Sequence, residues 1–313
     1  MHHRFRALIM AALGAVAAAC AVDSRAVARD TASNDPAAAI EHARSGSTAR
    51  DDFGDALPAG ITPRRIVSLN PATTELFFAL GAGNRLVGRT EYDIYPAEAR
   101  TIRALGGGMR PNVEAVLGVR PDLVVLYASN ENRNAAVRFR AAGVPTLSLR
   151  VDRIEQFRLA VRRLGEVLGD TAKARIVVDS VDRTLSLVRA ATAGRPRPAT
   201  FWKAWDSPVI AIGGGSFLTE LVEIAGGRNI YGDDPRPSLD VTIEDVVRRD
   251  PDVVLAGPAS AARMRTAPSW QALRAVREGR VLVIDTTLVG RPGVRLGEAA
   301  ASIARLLHPG ALQ

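Results

Sequence analysis

Residues 171–193 read TAKARIVVDSVDRTLSLVRAATA, and the fold follows from how this stretch is taken. Asp170 stands where an N-cap belongs, and Gly194 with Pro196 stops the run. Ala174, Val177, Val181, Leu185 and Val188 recur at three- and four-residue steps, a single apolar stripe of helical period. Arg175, Asp179, Asp182, Arg183 and Arg189 keep much of the remaining surface polar. A helix over the whole stretch reaches roughly 35 Å, enough to lie across two small domains.

The chain repeats itself on either side of this helix. Upstream, Val113-Glu114-Ala115-Val116-Leu117 leads to Arg120-Pro121-Asp122-Leu123-Val124-Val125-Leu126. Downstream, Ile243-Glu244-Asp245-Val246-Val247 leads to Asp250-Pro251-Asp252-Val253-Val254-Leu255, with the same interval from Glu to Pro. A second pair agrees: Thr74-Glu75-Leu76 before Ala79-Leu80-Gly81, and Thr219-Glu220-Leu221 before Ile224-Ala225-Gly226. Each copy reads as a helix, a turn and a buried strand. The expected architecture is α/β: two similar lobes with mostly parallel sheets, residues 61–170 and 194–313, joined by the single long helix 171–193.

Residues 1–20 read as a signal peptide. His2, His3, Arg4 and Arg6 make a basic start, and Ala7 to Ala19 is an apolar run ending in small residues. The run is too short and too alanine-rich for a membrane span. Cys20, the chain's one cysteine, sits where a bacterial lipoprotein is cut and acylated, although Ala17 occupies the place where a strong lipobox has Leu. Acylation at Cys20 or ordinary cleavage near Ala19 both give an exported product, either free in the periplasm or anchored facing it. One cysteine excludes an internal disulfide. Residues 21–60 mix Ala, Ser, Asp, Arg and Pro without an apolar period and read as a flexible tether.

The net charge of +8 is carried mostly by arginine, Lys173 and Lys203 being the only lysines. No dense basic run is interleaved with aromatics, which argues against a nucleic-acid partner. Strands alternating with helices imply parallel sheets, whose ligands sit beyond the carboxyl ends of the strands. Tyr92, in the loop after Leu86-Val87-Gly88, and Tyr127, just past Leu123 to Leu126, fall in such places. In the second lobe Thr200-Phe201-Trp202 is strand-like, with Trp205-Asp206-Ser207-Pro208 as its exit loop. Rings at strand exits offer flat apolar faces to a ligand; Trp202, on the strand itself, is expected in the core.

Signals for catalysis are thin. His42 lies in the tether and His308 near the C-terminus, so the body of the fold offers no histidine base and no cysteine nucleophile. Gly213-Gly214-Gly215-Ser216 lacks the Lys-Ser/Thr ending of a phosphate loop and reads as a tight turn. The shortage of histidines argues against a free metal ion. A binding protein without catalysis or cofactor is expected, with an exported α/β enzyme as the rival of another class.

Ser68-Leu69-Asn70-Pro71, Thr74-Glu75, Ala79-Leu80-Gly81, Tyr92, Tyr95-Pro96, Gly107-Gly108, Asn112-Val113-Glu114 and Arg120-Pro121-Asp122-Leu123-Val124 occur in the order seen in one family. From about Arg64 to Pro309 the chain resembles the periplasmic substrate-binding proteins of ABC importers for cobalamin, ferric siderophores and haem, and most resembles the cobalamin receptors. That family is built of two α/β lobes bridged by one long helix. The resemblance implies a monomer that captures a corrinoid in the inter-lobe cleft and delivers it to a permease dimer with its ATPase subunits. A ferric siderophore or haem receptor is the alternative, with Arg89, Arg110, Arg236 and Arg291 offered to anionic groups.

The resemblance also assigns residues. Tyr92 matches a ring-contacting tyrosine of the cobalamin receptors, and Arg291 matches an arginine facing the cleft. With Tyr127 and Trp205 they make the expected ligand set. Glu114 and Glu244, each seven residues before a proline, match the glutamates that meet permease arginines. Where cobalamin receptors commonly carry tryptophans, this chain has Leu105-Gly106 and Pro237-Ser238-Leu239, which reshapes the cleft.

Overall fold

The computed structural model describes residues 50–312; the targeting segment, Cys20 and the tether as far as Ala49 lie outside the described residues. Four strands form the first sheet: β1 (Ile66–Leu69), β2 (Leu86–Gly88), β3 (Leu123–Tyr127) and β4 (Thr146–Leu149). Their order is β2-β1-β3-β4 and every pairing is parallel. Ile66, Val67, Leu123, Val124, Val125 and Leu126 are fully buried. Such runs without alternation are what a sheet covered on both faces requires. The covering helices include α1 (Pro71–Ala79), α2 (Val113–Gly118) and α3 (Asn130–Ala141).

After α4 (Ile154–Leu168) comes α5 (Thr171–Thr192), the long helix. The Asp170 carboxylate caps it by accepting from the Lys173 N–H at 2.8 Å. Its stripe of Ala174, Val177, Val181, Leu185 and Val188 is buried, and it packs between α4 and the last helix, α11 (Leu296–Leu307). Between them lie α6 (Phe217–Ile224), α7 (Ile243–Arg249), α8 (Pro258–Thr266), α9 (Arg274–Arg277) and α10 (Thr286–Val289).

The second sheet is mixed. Its strands are β5 (Ala199–Trp205), β6 (Ile210–Ile212), β7 (Arg228–Asn229), β8 (Ser238–Asp240), β9 (Val253–Ala256) and β10 (Val281–Val283). They run in the order β10-β9-β5-β6-β8, with β7 also on β5. The pairs β5–β6 and β6–β8 are antiparallel and the others parallel. Trp205 is therefore the last residue of a seven-residue strand, and Asp206 to Val209 turn back into a hairpin rather than leading into a helix.

The repeated Pro-Asp segments have the same structure in both lobes. The Arg65 N–H donates to Asp122 Oδ1 at 2.9 Å while the Asp122 N–H donates to the Arg65 carbonyl at 2.9 Å. The Ala199 N–H donates to Asp252 Oδ2 at 2.8 Å while the Asp252 N–H donates to the Ala199 carbonyl at 2.7 Å. Each aspartate thus tacks the start of its lobe's first strand to the strand that follows the proline.

Part of the stretch read from composition as tether is docked. The Asp52 N–H donates to the Ser148 carbonyl, and the Ser148 N–H donates to Asp51 Oδ2, both at 2.9 Å. Asp52 Oδ1 pairs with the buried Arg163 guanidinium at 2.7 Å. These contacts cover the outer edge of β4, which would otherwise expose unpaired backbone groups.

Candidate functional site

Loops of the two lobes meet along a seam. The loop after β2 and the loop after β4 belong to the first lobe. Segment 291–295 after α10, and the start of α6 after β6, belong to the second. Arg291 Nη2 donates to the Tyr92 carbonyl at 2.7 Å, and the Phe217 N–H donates to the Asp152 carbonyl at 2.8 Å. The first bond joins the loop after β2 to the segment that follows β10, on the side where ligands bind in open α/β sheets; the second lies after β6, which runs antiparallel to β5 and so exits at the other end of that sheet.

Tyr92 is half-buried, on a loop held from below by Asp93. Asp93 is 1% exposed, and its carboxylate takes hydrogen bonds from the Thr74 and Thr90 hydroxyls and the Thr90 N–H. Burial pushes the Asp93 carboxyl up, and those donors oppose the shift. Arg89 is buried and spent inside the same loop, donating to the Thr90 carbonyl at 2.7 Å and the Arg100 carbonyl at 3.2 Å. Gly107 lies beside the Tyr92 ring, and a Cβ there would stand 4.0 Å from Cε2.

Tyr127 ends β3, and its hydroxyl donates to Asp152 Oδ1 at 2.7 Å. Burial, then the neighbouring carboxylate, raise the phenol far above its usual range, so it stays protonated. Its polar end serves the first lobe itself, which leaves only its ring for a ligand.

Trp205 is half-buried at the end of β5. Trp202 is 3% exposed, in the core. Between them Lys203 is 3% exposed: its Nζ bonds to Asp206 and to Ser260 Oγ and faces the Trp270 ring at 5.4 Å. Asp206 also takes Arg263 and the Ser260 hydroxyl. Burial pulls the Lys203 ammonium down. For Asp206 burial works upward, but Arg263 and Lys203 together outweigh it and hold the carboxyl low. This cluster staples the hairpin turn that carries Trp205.

Arg291 is half-buried; burial lowers its guanidinium, while the Glu75 and Asp93 carboxylates work to raise it. Arg236, offered above to an anionic ligand, forms a two-pronged pair with Asp234 at 2.9 and 2.6 Å. Arg110 is exposed, with φ +50° and its backbone N–H on Asn132 Oδ1 at 3.0 Å. Leu105 and Leu239 are 6% exposed and belong to the lobe cores.

Glu114 and Glu244 are exposed, each the second residue of a short helix, α2 and α7. Those helices are capped alike: Asn112 accepts from the Ala115 N–H and Thr242 from the Asp245 N–H. The N–H groups of Gly213, Gly214 and Gly215 donate to the carbonyls of Pro237, Asp234 and Arg236. They are occupied by a neighbouring loop and do not form a phosphate cradle.

Cavities of about 650 and 520 Å³ lie on the helix side of the molecule, beside α5. Neither is lined by Tyr92, Tyr127, Trp205 or Arg291. Among the described residues no cluster of three or more His, Cys, Asp or Glu is arranged to hold a metal ion. No helix among them is long and apolar enough to cross a membrane. Asp93, Asp152, Lys203 and Arg295 are joined to the site by contacts that only the fold creates. Of these only Lys203 carried a signal, as a rare lysine on an apolar strand.

A family model described as periplasmic binding protein matches residues 66–288. The chain belongs to the periplasmic binding protein family. Bacillus subtilis has a relative described as an uncharacterized ABC transporter substrate-binding lipoprotein, YvrC, 28% identical over 79% of this chain and 81% of that one. A cobalamin-binding protein of Halobacterium salinarum is 29% identical over 98% of this chain and 86% of its own. Among solved structures, the periplasmic heme-binding protein RhuT of Roseiflexus superposes with a TM-score of 0.72 at 23% identity, over 80% of this chain and 99% of that one. That likeness concerns the fold: two α/β lobes joined by one long helix, as in this periplasmic binding protein.

Proposed function

We propose that this periplasmic binding protein captures a cobalamin-type corrinoid between its lobes and hands it to an ABC permease dimer driven by its ATPase subunits. Tyr92, Trp205 and the ring of Tyr127 supply flat apolar faces, and Arg291 ties the Tyr92 loop to the second lobe. The observation that carries the reading is the bond at 2.7 Å from Arg291 to the Tyr92 carbonyl, which joins the loop after β2, bearing the Tyr92 ring, to the segment after β10 of the other lobe. The cobalamin-binding relative supports the ligand class. The lipoprotein relative supports export and an anchor at Cys20. The protein acts as a monomer at the outer face of the membrane, with no catalytic step of its own. Glu114 and Glu244 face the permease.

Purified protein titrated with cyanocobalamin, haemin and a ferric hydroxamate, followed by absorbance, tests the ligand. Saturable cyanocobalamin binding is expected, weakened in Tyr92→Ala and Trp205→Ala by about 0.5–1.5 kcal/mol each beyond the area lost. Saturable binding of haemin or the ferric hydroxamate alone would move the assignment to the other ligand class.

A further inference from the structure

The Thr-Glu-Leu segments at 74–76 and 219–221 are repeated in sequence, yet neither glutamate is a ligand or docking residue in the reading above. Both cross the seam. Glu220, on α6 of the second lobe, accepts the Ile154 N–H of the first lobe on Oε2 at 2.9 Å and takes Arg153 Nη2 on Oε1 at 3.0 Å. Ile154 is the first residue of α4. Arg153 Nη1 goes on to the Gly214 carbonyl at 2.6 Å. Glu75, on α1 of the first lobe, takes Arg295 Nη2 of the second lobe on Oε1 at 3.3 Å. Arg295 immediately precedes Leu296, the first residue of α11, as Arg153 precedes Ile154. Gly293 presses on the same carboxylate, where a Cβ would lie 2.3 Å from Oε2.

The correspondence extends to the helices that are gripped. α4 follows β4, an edge strand of the first sheet, and α11 follows β10, an edge strand of the second, with the short α10 between them. Each glutamate therefore holds the arginine at the start of the other lobe's closing helix. A single rod such as α5 resists bending but leaves rotation about its own axis; two further contacts off that axis remove the rotation. The Glu75 contact also reaches the proposed site, because Arg295 stacks on Tyr95 at 3.8 Å, three residues from Tyr92 in the same loop. The two contacts differ in wetness. Glu75 is 2% exposed, whereas Glu220 lines the cavity of about 650 Å³ beside α5.

We propose that Glu75 and Glu220 are reciprocal positioning residues whose cross-lobe contacts with Arg295 and Arg153 fix the width of the cleft. The effect on ligand rests on the binding function proposed above; the effect on lobe geometry does not. Nitroxides at Val137→Cys in the first lobe and Ala262→Cys in the second, with Cys20→Ser, report the inter-lobe distance by pulsed electron spin resonance on the full chain. Both positions are exposed. Glu75→Ala and Glu220→Ala are expected to broaden or shift the distance distribution. In Glu220→Gln, whose amide oxygen still accepts the Ile154 N–H, the distribution should stay near the wild type. Cyanocobalamin should leave both alanine variants about tenfold faster, ~1.4 kcal/mol. Unchanged distances in both alanine variants overturn the proposal whatever the ligand. Changed distances with unchanged dissociation overturn the positioning role. Changed distances in a protein that never binds cyanocobalamin leave the lobe contacts standing and refute the ligand assignment. Should Glu75→Ala fail to fold, Glu75→Leu, which fills the space but accepts no hydrogen bond from Arg295, is measured in its place with the same expectation.

Discussion

Arg291 of the second lobe donates at 2.7 Å to the carbonyl of Tyr92 in the first, so the aromatic residue read as a ligand contact is held in place by the opposite lobe. The bond joins residues 199 positions apart and ties the Tyr92 loop to the second lobe.

Removing that donor should loosen the loop without unfolding the protein. Arg291→Ala is expected to weaken cyanocobalamin binding by about 1.5–3 kcal/mol, the range for a hydrogen bond from a charged group. Arg291→Lys keeps a cation but loses the planar fork and should fall between the two. Isothermal titration of the three proteins checks the order. Equal affinities would mean that the bond does not contribute to ligand capture.

The two-lobe build is legible in the sequence because both copies use the same short-range devices. Asp122 and Asp252 follow a proline and tack two neighbouring strands, and Asn112 and Thr242 cap the helices that precede them. Partnerships across the chain are not legible in this way. Asp51 meets Ser148 over 97 positions, and Glu75 meets Arg295 over 220. No local pattern marks either pair, so the docked segment read as tether and the seam residues emerge only in three dimensions. Asp206-Ser207-Pro208 has turn chemistry that suits a strand exit and a hairpin equally, which is why β6 went unread. Tyr92 and Trp205 could be placed at strand ends from the sequence, but the engagement of the Tyr127 hydroxyl with Asp152 could not.

Glu75 and Asp252 should respond to pH with opposite sign. Burial raises the Glu75 carboxyl above its ordinary value of 4.5, against the opposing pull of Arg295, Arg291 and the Val294 amide. The folded state then binds its proton more readily than the unfolded chain, so this group's contribution to stability is present below 4.5 and lost as pH rises through the folded value. Asp252 is held below 3.8, first by the Ala199 N–H and then by Arg274, against burial. Its contribution is present above 3.8 and lost as pH falls through the folded value. Denaturant melts across this range should therefore show Glu75→Gln gaining on the wild type as pH rises. Asp252→Asn should cost about 1 kcal/mol at neutral pH and less in acid. Parallel curves for wild type and both variants would contradict the assignment.

Glu114 and Glu244 sit at equivalent places in the two repeats, exposed, each at the second position of its helix. Neither carboxylate pairs with another described residue. Two readings of such a position differ in outcome. A carboxylate near a helix start complements the helix dipole, which is worth about 0.3–1 kcal/mol at an exposed site. With Asn112 and Thr242 already capping the two helices, that role predicts a small fall in melting temperature for Glu114→Arg with Glu244→Arg and normal uptake. A docking role predicts the reverse. Two similar lobes would present two similar charges to a two-fold partner, and reversing both should set like charges against each other across the interface. The double variant is then expected to bind cyanocobalamin as the wild type does and to lose uptake in cells carrying the cognate permease. Raising the salt in a reconstituted vesicle assay should narrow the difference between the two proteins, because exposed charges are screened over about 10 Å at 0.1 M salt. Normal uptake by a double variant that still binds ligand would refute docking through these two glutamates.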